Sequence, residues 1–99
     1  MIVVLASFRI PADHVAEARA LLPAVIATTL TEEGCQAYDV GEDVLAPGLF
    51  RVSERWESRA ALAAHAAAPH MAEWGRQRAA MGMSERRVTI FDIAGMEDA

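Results

Sequence analysis

Residues 50–74 read FRVSERWESRAALAAHAAAPHMAEW, and this stretch decides the fold. Phe50, Val52, Glu54 and Trp56 fall at even spacing, so on a strand they share one face. Ser58 follows where a hydroxyl can accept from a free amide in the first turn of a helix. The Ala-rich run through His65 is helical. Pro69, lacking an amide and crowding the turn before it, ends or kinks that helix. Met71, Trp74 and Met81 continue as a second helical stripe. One strand and two helical pieces thus hold a carboxylate, two indoles, two histidines and a thioether. The rest of the chain reads mainly as scaffold.

On the N-terminal side, Ile2 to Arg9 is a strand with Ile2, Val4, Ala6 and Phe8 on one face and Val3 and Leu5 on the other. Apolar residues on both faces predict a strand covered on both sides. Pro11 suits the first turn of the helix that follows, and Asp13 suits its positive end. Val15, Ala18, Leu22, Val25, Ile26 and Thr29 recur at helical spacing as a core-facing stripe. Pro23 interrupts it, which predicts a kink or two helical pieces end to end. Glu32-Glu33-Gly34 closes the helix, with Gly34 as its left-handed cap. Cys35 to Val40 alternates as a strand, with Gln36, Tyr38 and Val40 on one parity and Ala37 on the other. Gly41 to Gly48 is a hairpin-type connection, and the organising strand runs from Leu49 to Glu57. Beyond Met81-Gly82, Arg87 to Ala94 is the last strand.

The order strand–helix–strand, strand–helix–strand gives two split βαβ halves. The predicted fold is α+β and ferredoxin-like, one domain over residues 1–99, with a four-stranded antiparallel sheet and helices on one face. The other face also carries apolar side chains, at Val3, Leu5 and the two-sided last strand. Large side chains left in water there would each forgo roughly 1.5–3 kcal/mol of burial. The expectation is a homodimer joined through sheet faces.

Composition excludes several functions. The 99 residues are 54% hydrophobic and 23% charged, with a net charge of −5 and no like-charge run longer than two. That balance opposes nucleic-acid binding, which needs a basic footprint. No segment approaches the ~20 apolar residues of a membrane span, and no basic stretch precedes the first apolar run. Cys35 is the only cysteine, which excludes an intrachain disulfide and suits a reducing, cytoplasmic setting. The chain has no lysine, hence no Schiff-base or phosphate-loop lysine, and no glycine-rich loop, nucleophile elbow or paired-cysteine metal site.

The remaining candidates are few. His65 shares a helical face with Ala61 and Leu62, so it is either a satisfied structural group or the proton acceptor of a cleft. His65 and His70 are five apart across a proline, which is not the spacing that sets two metal ligands on one helical face, and no metal site is assigned. Glu54 shares a face with Phe50, Val52 and Trp56 and needs a partner there: Arg9, Arg51, His65 or the mouth of a pocket. Tyr38 can pack its ring and still offer a phenol.

These residues carry a family resemblance. The runs EEGCQAYDV, PGLFRVSERWES and AALAAHAAAPHM resemble the antibiotic biosynthesis monooxygenase family, including its quinol monooxygenase members, across nearly the whole chain. The specific matches are Gly-Cys-x-x-Tyr at 34–38, Glu-x-Trp at 54–56, and His65 with His70. The resemblance implies a dimeric α/β barrel and a cofactor-independent monooxygenase that oxidises a quinol or phenolic aromatic with molecular oxygen. His65, Tyr38 and Glu54 would then be catalytic, while Phe50, Trp56, His70, Met71 and Trp74 would bind substrate. Oxygenating branches of the family, including the haem-degrading one, are expected to use an asparagine, and this chain has none, which weakens the haem-degrading reading. A non-catalytic ligand-binding dimer and an isomerase or decarboxylase on the same scaffold are the alternatives.

Overall fold

The sheet has the order β2–β3–β1–β4, built from β1 (Ile2–Arg9), β2 (Cys35–Glu42), β3 (Leu49–Trp56) and β4 (Ser84–Asp92), all neighbours antiparallel. The computed structural model describes residues 1–99. A short 3-10 turn (Ala12–His14) leads into α1 (Val15–Leu30), and α2 (Arg59–Ala66) and α3 (Pro69–Ala80) join β3 to β4. This is the ferredoxin-like α+β arrangement, with helices on one face of an open, four-stranded sheet.

The parity of β1 and β3 places the core. Ile2, Val4 and Phe8 are buried beneath the helices with Phe50, Val52 and Trp56. Val15, Ala18, Leu22, Val25 and Thr29 of α1 meet them, and Ile26 is half-buried against the same cluster. Pro23 does not divide α1, which runs unbroken through it. Pro23 lies on the exposed side, where the carbonyl it frees can face water, as on the convex side of many helices.

Three further sequence expectations are corrected. Helix α1 ends at Leu30, with Thr31 as its cap, and Gly34 adopts φ +81° in the turn beyond. A Cβ on Gly34 would lie 2.6 Å from Cβ of Ala61, so glycine is needed for α2 to approach as well as for the backbone angle. Gln36 does not share the face of Tyr38. The register slips between Cys35 and Ala37, and this bulge turns Gln36 out to accept from Arg55 Nε at 3.1 Å. Strand β4 starts at Ser84 and stops at Asp92, leaving Ile93 and Ala94 outside it. Its polar opening residues pair along an exposed edge, where no apolar alternation marks them.

Burial at that edge is uneven. The helices cover the inner face of β1, β3 and β2, whereas every residue of β4 is exposed. Val88 and Ile90, opposite Ala6 and Val4, therefore stand uncovered on the inner side, and Phe91 on the outer. Leu5 is also exposed on the outer face, where its neighbours are as much polar as apolar: Arg51, Ser53, Arg55 and Arg87 share that side.

Candidate functional site

The chemistry gathers where α2 stops. Ser58 caps α2, its Oγ accepting from the Ala61 amide at 3.1 Å, and the helix ends with His65 in its last turn. Pro69 opens α3 at a position where a missing amide costs nothing. The break between them turns His65 and His70 toward one another, ring centroids 6.0 Å apart, although they lie on different helices.

Both rings converge on Glu32, from the turn after α1. His65 Nδ1 lies 3.0 Å from Glu32 Oε1, and His70 Nε2 lies 3.1 Å from the same oxygen and 3.0 Å from Thr29 Oγ1. An ionised carboxylate only accepts, so His65 Nδ1 carries its proton toward Glu32, while His70 Nε2 is shared between Glu32 and the Thr29 hydroxyl. In neutral His65 that leaves Nε2 with the lone pair. Glu54 Oε1 is 3.9 Å from it, beyond hydrogen-bond distance, and accepts instead from Trp56 Nε1 at 2.9 Å. His65 is 4% exposed and packs between Trp56 and Tyr38, at centroid distances of 4.7 and 5.5 Å.

Beside this cluster is a cavity of about 280 Å³ between the sheet, α2 and α3, bordered on the uncovered side by Val88 and Ile90. Its apolar walls include Phe8, Val52, Leu62, Met71 and Trp74, and its polar groups include Tyr38, Glu54, His65, Arg78 and Arg86. Burial pushes the Glu54 carboxyl above the usual range, against the pull of the Trp56 N–H and of His65. Burial, reinforced by Glu54, raises the Tyr38 phenol as well, so Tyr38 keeps its proton and acts as a donor rather than a base. Burial also raises the Cys35 thiol, helped by the charges of Glu32 and Glu54, so it is held as a thiol and not poised for attack.

The structure thus divides the candidates. Tyr38, Glu54, His65, Met71 and Trp74 line the cavity; Phe50, Trp56 and His70 stand behind its wall. Phe50 stacks on Phe8 at 5.4 Å, Trp56 is fully buried and holds Glu54, and His70 completes the partnership of Glu32. The arginines weighed as partners of Glu54 are occupied elsewhere, Arg9 with Glu85 and Arg51 with Asp43. Glu32 is the residue that sequence reasoning missed as part of the site, having taken it for a helix terminator. Its place in the run EEGCQAYDV was the available signal. Glu32, His65 and His70 also offer one oxygen and two nitrogens within 4.8 Å of one another, a donor set of the type that zinc or iron takes, though every one of these atoms already has a hydrogen-bond partner.

Comparison with known proteins follows the same outline. The family model described as "Antibiotic biosynthesis monooxygenase" matches residues 1–77. A Mycobacterium tuberculosis protein named "Putative monooxygenase Rv0793" is 34% identical over 99 residues, covering 99% of this chain and 94% of the relative. Its solved structure superposes with a TM-score of 0.83 at 33% identity, over 99% of this chain and 97% of that one. A Deinococcus radiodurans structure, described as a "putative antibiotic biosynthesis monooxygenase", reaches a TM-score of 0.93 at 25% identity, over 100% of this chain and 98% of that one.

Proposed function

The chain belongs to the antibiotic biosynthesis monooxygenase family, and from that membership we propose a cofactor-independent monooxygenase acting on a quinol or phenolic aromatic with molecular oxygen. The observation that carries this reading is the Glu32–His65 pair beside an apolar cavity. Glu32 fixes the tautomer and the angle of the ring, so Nε2 is the proton acceptor, and imidazolium formed there would lie between two carboxylates. Tyr38 and Glu54 orient the substrate oxygen. Met71 and Trp74 supply a dry wall against which an aromatic ring packs.

The chemistry asks little more of the protein. A phenol that loses its proton to His65 is electron-rich enough to reduce oxygen directly. Oxygen bonds to the activated ring carbon, and the resulting peroxide takes the proton from His65. Loss of that carbon's hydrogen then breaks the O–O bond, leaving a carbonyl and releasing water. In a dry cavity the fixed donors act on the developing charge more strongly than they would in water.

The pairing of a raised carboxyl at Glu54 with His65 also suits simple proton relocation, as an isomerase would need. Oxygen uptake separates the two. The purified protein, treated with a chelator, is expected to consume oxygen with a quinol or anthrone-type phenol faster than autoxidation, and His65→Ala to abolish the excess. Conversion of substrate without oxygen uptake would select the isomerase. For assembly we propose a homodimer that uses the exposed apolar positions Leu5 and Phe91, closing the open sheets into a barrel, and for location the reducing cytoplasm, from the lone Cys35.

A further inference from the structure

Of the nine arginines, Arg9, Arg19, Arg51, Arg59 and Arg76 each hold a carboxylate and Arg55 holds the Gln36 amide. Arg78, Arg86 and Arg87 hold none, in a chain with 14 acidic residues. Arg87 alternates to the outer face of β4, opposite Ser7. Arg78 and Arg86 both line the cavity.

We propose that Arg78 and Arg86 form a carboxylate-binding subsite at this cavity, so that the substrate is an aromatic acid: a phenol or quinol whose ring also bears a carboxylate. The proposal rests on the oxygenase reading for the aromatic ring, but not for the anion.

Neither guanidinium makes an ion pair within the chain, although the charge of Arg86 reaches the Glu54 carboxyl and favours its ionised form. Glu54 accepts from Trp56, Glu32 is held by His65 and His70, and Glu85, next to Arg86 in the chain, pairs with Arg9. Arg78 is half-buried on α3, and its charge is disfavoured first by burial and then by Arg86. The charge of Arg86, exposed on β4, opposes that of Arg78 at the same cavity, and an anion bound by both would relieve that opposition. A carboxylate matches the guanidinium fork bidentately. The cavity volume of about 280 Å³ suits a small ring system. With its acid group on the arginines, the ring extends along Met71 and Trp74 and presents its phenol to His65.

Calorimetric titration of the intact protein with 2,5-dihydroxybenzoate and 2,5-dihydroxybenzamide tests this, because the two differ in charge but hardly in shape. The acid is expected to bind about tenfold or more tightly than the amide. Arg78→Met and Arg86→Met should each shrink that ratio and the double variant bring it near one, while Arg78→Lys keeps part of it. Arg76→Met, which removes an exposed charge from the same helix, should leave the ratio intact. Equal binding of acid and amide, no binding of either, a preference that survives the double variant, or one lost equally in Arg76→Met would overturn the subsite. Oxygen uptake is read separately. Acid preference without uptake keeps the subsite and removes the oxygenase; uptake with a neutral quinol and no acid preference does the reverse.

Discussion

Glu32 and His65, thirty-three residues apart, meet at 3.0 Å between Oε1 and Nδ1. The contact assigns a direction to the imidazole. Replacing the carboxylate by an amide keeps the size of Glu32 but no longer demands a proton on Nδ1. Glu32→Gln is therefore expected to lower kcat by about ten- to a thousandfold with little change in KM. A change confined to KM would assign Glu32 to substrate binding instead.

His65→Ala removes the acceptor itself. Turnover should fall by roughly 10²–10⁴-fold while circular dichroism and the melting profile show a folded protein. Unchanged specific activity in a destabilised protein would make His65 a structural residue.

Glu54 gives a pH signature. Its carboxyl is raised in the folded chain, so its contribution to stability is fully present below its unfolded pKa and is lost as pH rises through the folded value. At neutral pH the buried charge is a cost. Glu54→Gln, whose amide oxygen can still accept from Trp56, should melt at an equal or higher temperature than the wild type at neutral pH. That advantage should shrink as the solution is acidified through the carboxylate range. A loss of stability at neutral pH that disappears in acid would show instead that the charge of Glu54 is satisfied.

Gly34→Ala combines a positive φ with a 2.6 Å approach to Ala61. The backbone strain alone is worth about 1–3 kcal/mol, read from the shift in a urea midpoint. Since the same turn carries Glu32, activity should fall beyond what the lost stability explains.

Association is tested at the outer face. Light scattering at micromolar concentration should give the mass of a dimer, and Leu5→Glu or Phe91→Glu should give a monomer. A monomeric wild type would remove the barrel.

The legible parts of this fold are those where side-chain parity and burial agree. Strands β1 and β3 could be read because Ile2, Val4, Phe50 and Val52 alternate with residues of the opposite face, and Ser58 because a cap is a local contact. Pro69 announced the helix break. It could not announce what the break achieves, since the meeting of His65 and His70 at Glu32 depends on where α1 ends across the molecule. Gln36 was misplaced because a bulge obeys backbone geometry rather than hydrophobic alternation. Arg86 lay before the expected start of β4, among polar residues on an edge that buries nothing. The site's acid and base types were visible; their partnerships were tertiary.

The bulge between Cys35 and Ala37 places the turn that carries Glu32 and the strand that carries Tyr38 on separate phases. Gln36 works as a spacer between them. Tyr38 stays opposite Glu54 because of its pairing with β3, whatever the length of chain arriving from the helix. Insertions or deletions in that turn can therefore re-aim Glu32 without rotating Tyr38 out of the cavity, so the two sides of the site are free to evolve separately.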